Sequence, residues 1–113
     1  MPRVHVEVGS RVITLNRATL RSLLKEAVAT NVSSSEAQFD AKEVSVKYFD
    51  EGPYDSQEHD VQVTIWAGLY PSRLMNKDER AKAVLERIRP LINHNNTVDV
   101  CLILADMGYD HSK

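Results

Sequence analysis

One arrangement occurs twice in this sequence, and it leaves few folds open. Val4-His5-Val6-Glu7-Val8 alternates apolar and polar residues before a loop, an arginine and a helical pattern; Val61-Gln62-Val63-Thr64-Ile65 does the same before a loop, Arg73 and a second helical pattern. Alternation with period two sets the apolar residues of each stretch on one face of a strand. The closing strands echo each other as well, Val44-Ser45-Val46 running on to Tyr54-Asp55 and Val98-Asp99-Val100 to Tyr109-Asp110. Two strands of one sheet joined by a helix lie parallel, with a right-handed crossover. Two such units predict an α+β fold with a four-stranded mixed sheet and two helices on one face. With 113 residues the chain is read as a single domain, 1–113, whose pseudo-repeat divides into 1–55 and 56–113.

The helices carry their own signals. Asn16 is suited to cap the first, and Leu20, Leu23, Leu24, Ala27 and Val28 within 18–30 recur at the three-and-four spacing of one buried face. The second starts near Asn76 or Lys77, with Asp78 and Glu79 favoured in its first turn by the helix dipole and Pro90 set to kink or end it. Between these elements, Val12-Ile13-Thr14-Leu15 reads as a short extended continuation, Ser33-Ser34-Ser35-Glu36 as a cap for one helical turn, and 68–76 as a loop. Val98, Val100, Leu102 and Leu104 form the last strand; because Cys101 and Ile103 on its other face are also apolar, it reads as a central strand. Residues 108–113 read as a tail.

Two helices cover one side of a sheet only. Tyr48, Phe49, Trp66, Cys101 and Ile103 need not all fit beneath them, and an uncovered apolar face implies a partner. A homo-oligomer is therefore expected. Net charge is -2 with acids and bases interspersed, so the electrostatic footprint of a nucleic-acid binder is missing. A lone cysteine, Cys101, excludes an intramolecular disulfide, and no apolar run approaches the ~18–20 residues of a membrane span. A reducing, cytoplasmic location without membrane contact is expected.

Pro2 heads the first strand. Once the initiator Met is removed, its nitrogen is a secondary amine. An α-amino group has an unperturbed pKa of roughly 7.7–8.0, and desolvation lowers it, so a half-buried terminal proline is suited to act as a general base near pH 7. With Met1 attached the same nitrogen is a tertiary amide and takes no proton.

Repeated β-α-β units with Pro2 directly after Met1 resemble the tautomerase superfamily, in particular its 5-carboxymethyl-2-hydroxymuconate isomerase and macrophage-migration-inhibitory-factor-like members. The order and length of elements match over nearly the whole chain. Agreement in detail is strongest from Val44 to Ile88, where a turn with Gln57, His59 and Asp60 leads into a strand, an arginine-bearing loop and a helix. The resemblance implies a homotrimer with active sites at subunit interfaces and a cofactor-free reaction. It implies that Pro2 shuttles a proton on a small enol or 2-keto carboxylic acid while arginines hold the carboxylate, a task for which a planar guanidinium is well shaped. Arg73 falls close to the family's arginine after the third strand, though its loop is longer by a few residues, and Arg11 occupies the loop after the first strand. A further family arginine near the start of the second strand has no match; Lys42 or Lys47 stands nearest, without the planar fork.

The remaining constellations read as structure before chemistry. Arg3, His5 and Glu7 share a strand face as a solvated or interface stripe, and the four histidines have no paired ligand spacing, so no metal site is expected. Asp106, Asp110 and His111 would suit water activation but more simply form a solvated tail, and Trp66, Tyr70 and Tyr109 suit packing before pocket lining. Two functions follow. One is a tautomerase or isomerase with Pro2 as general acid/base and Arg73 and Arg11 as anion-binding groups; the alternative is a non-catalytic oligomeric module of the same fold that binds a small acid or a protein. A ferredoxin-like RNA-binding domain is disfavoured by the acidic balance and by strands without a stacking platform.

Overall fold

The computed structural model describes residues 2–106. Strand β1 (Arg3–Val8) is followed by helix α1 (Arg17–Val32) and by β2 (Ser45–Asp50), which lies parallel to β1. Strand β3 (Val61–Gly68) is followed by the short helix α2 (Pro71–Met75), by α3 (Lys77–Ile88) and by β4 (Val98–Ala105), parallel to β3. The two units join through an antiparallel β1–β3 pair in register Arg3 to Trp66 and Val8 to Val61, giving the order β2-β1-β3-β4. The α+β architecture, the mixed sheet and the two main helices on one face are as the alternating stretches predict.

Alternation decides which side is buried. Val4, Val6 and Val8 of β1 and Val61, Val63, Ile65 and Ala67 of β3 point beneath the helices. Leu20, Leu24, Ala27, Val28 and Val32 of α1, with Val84 and Ile88 of α3, close the core from above. Among the described residues no helix lies over the opposite sheet face. It presents Arg3, His5 and Glu7 of β1, Lys47 and Phe49 of β2, Thr64 and Trp66 of β3, and Asp99, Cys101 and Ile103 of β4, none of them buried. The His5 ring sits 4.9 Å from Phe49 and 4.6 Å from Trp66.

Several local expectations are corrected, the first being that 68–76, read as a loop, holds the short helix α2. Among the described residues β4 is an edge strand, paired with β3 alone, and its two apolar faces go with a sheet face that no described helix covers. Tyr48 faces the helices, where its hydroxyl donates to the Arg17 carbonyl at 2.9 Å. Residues 12–15 are irregular, with Val12 and Leu15 packed against the core and Ile13 94% exposed. The turn expected at 33–36 is replaced by a 3₁₀ turn over Ala41–Glu43, because Ser33 and Ser34 spend their hydroxyls on the connection itself: Ser33 on Phe39 and Ser34 on the Ala37 N–H. Pro90 does end the second long helix, in a 3₁₀ turn over Arg89–Leu91.

Candidate active site

Pro2 continues the parity of Val4 and is buried, and its carbonyl accepts from the Ser45 N–H at 3.2 Å. One step along the β1–β3 register sets Pro2 opposite Ala67, so it lies at the end of the sheet where β3 and β4 finish. Gly68 follows Ala67, and the chain turns there into α2, which carries Arg73. Pro2 and Arg73 are thus brought to the same end of the sheet.

Arg73 is 2% exposed. Its Nε donates to the Val32 carbonyl at 2.8 Å, Nη1 to Gly68 at 2.9 Å and Nη2 to Ala37 at 3.0 Å. The Tyr70 and Phe39 rings lie 5.0 and 5.7 Å from the guanidinium carbon, a cation–π arrangement. One side chain therefore ties together the end of α1, the connection after it, the end of β3 and α2. A carboxylate gripped by this fork would have to displace backbone carbonyls from it.

Arg80 reinforces the same seam. It donates from Nη1 to the carbonyls of Asn31 and Ser33 at 3.0 and 2.8 Å, and from Nε to Asn76 Oδ1 at 2.6 Å. The Ser72 hydroxyl bonds Glu36 and draws its carboxyl down to about 2. Alongside lies an open cleft of about 850 Å³ walled by Ser33–Ser35, Gln38–Asp40, Glu43, Ser72 and Arg80. Neither Arg80 nor Phe39 stands out in the sequence as a site residue. The signals were present as the (i, i+4) pair Asn76–Arg80 and as a single aromatic residue in a polar connection.

Arg11 is not at this end. It follows β1, whose six residues separate it from Pro2 by roughly 16–20 Å. Its side chain is 81% exposed, with Nε 3.9 Å from Asp60 Oδ1. Lys42 is exposed in the 3₁₀ turn three residues before Ser45, at the Pro2 end, whereas Lys47 lies on the uncovered face across from His5. Asp106 is exposed just beyond β4, while Tyr109, Asp110 and His111 lie outside the described residues. Among the described residues no cluster of three metal-ligating side chains occurs, and no helix is long and apolar enough to cross a membrane.

No family model matches the chain, and no curated protein sequence does. Solved structures share its fold. The chain is similar to 5-carboxymethyl-2-hydroxymuconate delta-isomerase, covering 100% of this chain and 88% of that one at TM-score 0.66 and 16% identity. It is similar also to a fused 4-OT symmetric trimer (95% and 90% covered, TM-score 0.63, 14% identity). A third likeness is to FG41 malonate semialdehyde decarboxylase, a structure inhibited by 3-bromopropiolate (97% and 90%, TM-score 0.58, 12% identity). At these identities the likeness is one of fold.

Proposed function

We propose that this protein is a cofactor-free tautomerase or isomerase of a small enol or 2-keto carboxylic acid, with Pro2 as general acid/base after removal of Met1. The observation that carries this reading is the placement of a buried Pro2 and a buried guanidinium, Arg73, at one end of the sheet. A neutral ring nitrogen there takes a proton from one position of the substrate and returns it to another, leaving the enzyme unchanged after each turnover. Lys42, exposed in the turn just before the β2 end that pairs with Arg3, is a cation of the same chain that can meet the substrate carboxylate. Arg11 serves as a second anion-binding group only where a neighbouring copy brings its β1–α1 loop to the Pro2 end. Arg73 acts by its fixed charge and by the walls it holds. The fold likeness to an isomerase and to a symmetric trimer supports an oligomeric enzyme of this kind.

The experiment is an intact mass of untagged protein followed by an assay with phenylenolpyruvate. Protein beginning at Pro2 is expected to ketonise it, and Pro2→Ala to lose about 100-fold or more in kcat/KM. Undiminished turnover by Pro2→Ala would remove the proline from the mechanism.

The three backbone carbonyls on Arg73 favour a second reading, a non-catalytic module that keeps the assembly and binds a small acid. Calorimetry showing saturable binding of a 2-keto acid by protein that starts at Pro2, without turnover, would select it.

A further inference from the structure

We infer that the sheet face away from the helices is an acid-sensitive contact between copies of this chain, in which His5 must be neutral for the copies to stay together. The inference rests on the oligomeric part of the function proposed above and adds what controls the assembly.

The charges on that face are sorted along the strands. Register sets Glu7, Gln62 and Asp99 in one row across the sheet, Lys47, His5, Thr64 and Cys101 in the next, and Arg3, Trp66 and Ile103 in the row at the Pro2 end. One end is therefore acidic and the other basic. A second copy laid on the face with its strands running the opposite way sets its acidic row over Arg3, and opposite charges at the two ends fix that orientation. The same orientation carries the copy's β1–α1 loop, with Arg11, to the Pro2 end. Phe49 and Ile103, both exposed in the single chain, are covered in the same contact.

Middle row then lies on middle row. His5 stands there between the Phe49 and Trp66 rings, at 4.9 and 4.6 Å, with Lys47 across from it on β2. The copy brings a second His5 and a second Lys47, and the row holds no carboxylate. A neutral imidazole can be covered along with the rings beside it, whereas an imidazolium is taken out of water next to like charges. Assembly therefore sheds a proton from His5, and since histidine changes charge between pH 5 and 8, acid drives the copies apart.

The other charges around His5 do not reverse this sign. Arg3 and Glu7 lie two residues away on β1, and Asp99 lies in the row beside Glu7; the copy meets Glu7 and Asp99 with its own Arg3. Asp50, Glu51 and Asp55 share a cleft with His5. Asp50 is bonded to Arg17, Glu51 accepts from the Ser10 and Gln57 N–H groups, and Asp55 accepts from the Gly52 N–H. All of them act on the imidazole in the free chain as well; what the copy changes is the loss of water.

The test is light scattering and sedimentation of wild type and His5→Phe at about pH 7.5 and 5.5, either side of the middle of the histidine range, at one ionic strength and with circular dichroism unchanged. A histidine that must be neutral to be covered costs about 10-fold in the association constant between these pH values. Wild type is expected to be associated at the higher pH and to weaken by about that factor for each His5 covered. His5→Phe keeps a ring between Phe49 and Trp66 without a titrating nitrogen, and its association should change by less than about threefold. Wild type equally associated at both pH values overturns the inference, as does a His5→Phe that comes apart in acid as wild type does. Should His5→Phe not fold, His5→Gln supplies another neutral side chain. Failure of both to associate at the higher pH also overturns it, because a neutral group at that position is what the contact requires. Wild type that is a single chain at both pH values overturns it together with the oligomeric reading. Acid dissociation without turnover of phenylenolpyruvate sinks only the catalytic reading, and an active enzyme whose assembly ignores pH sinks only this inference.

Discussion

Asp60 does at the far end of the sheet what Arg73 does beside Pro2. Its Oδ2 accepts from the Thr97 N–H at 2.9 Å and from Asn96 at 3.4 Å, while its own N–H donates to the Thr97 hydroxyl at 3.0 Å. Its carbonyl takes the Gly9 N–H at 2.7 Å, so a single residue links the end of β1 with the starts of β3 and β4. There is little room at that joint: a methyl on Gly9 would meet the Asp60 carbonyl oxygen at 3.0 Å. The Thr97 N–H is the main cause holding the Asp60 carboxyl below the usual carboxylate range, with Arg11 a lesser one. A carboxyl whose pKa is depressed by folding contributes stability that is complete above its unfolded value, about 3.9, and is lost as pH falls through the folded one. Urea unfolding should therefore find Asp60→Asn less stable than wild type at pH 7, with the gap closing below about pH 4. Arg11→Ala, which removes only an exposed contact at 3.9 Å, should leave the midpoint at pH 7 nearly unchanged.

At the scale of elements, α1 is the clearest case of sequence dictating structure. Asn16 Oδ1 accepts from the Thr19 N–H at 3.1 Å, and the apolar residues spaced three and four apart are those that meet the sheet. Replacing Asn16 with Ala should cost about 1 kcal/mol in chemical denaturation, and Leu24→Ala, deep under the same helix, about 2–5 kcal/mol. Strand pairing in each β-α-β unit was equally legible, because alternation fixes the face and the crossover fixes the direction. What could not be read has physical reasons. α2 holds five residues with Leu74 and Met75 exposed, too short and too wet to show a periodicity. The position of β4 at the edge was hidden because an uncovered face and a central position both make a strand apolar on two sides. The state of Arg73 was hidden for another reason: its acceptors are carbonyls of Val32 and Ala37, some forty residues upstream, and a carbonyl leaves no mark on the residue type. Arg11 was legible as a loop arginine, but only the length of β1 reveals that it sits at the wrong end to reach Pro2 within one chain.

For the whole molecule, that separation and the uncovered sheet face make one argument. The face carries Phe49 at 47% exposure, Ile103 at 38%, and the His5 and Trp66 rings, with Thr64 at its middle between His5 and Cys101. Left in water, such a surface gives up hydrophobic stabilisation that a partner would recover at roughly 25 cal/mol per Å². If that partner is a second copy, as proposed above, its Arg11 is one that can reach the Pro2 end of this chain, which this chain's own Arg11 cannot. Self-association and full activity should accordingly depend on the same surface. Thr64→Glu sets a charge at the centre of that face, on the opposite side of the sheet from Pro2 and outside the helix-side core, and should leave the fold intact as judged by circular dichroism. Light scattering at micromolar concentration should find wild type at a multiple of the single-chain mass and Thr64→Glu at or near one chain. Its turnover of phenylenolpyruvate should fall along with association, and should recover in part at protein concentrations high enough to restore the assembly. Wild type that scatters as a single chain would count against the partner, and a monomeric Thr64→Glu with undiminished turnover would show that each chain carries a complete site.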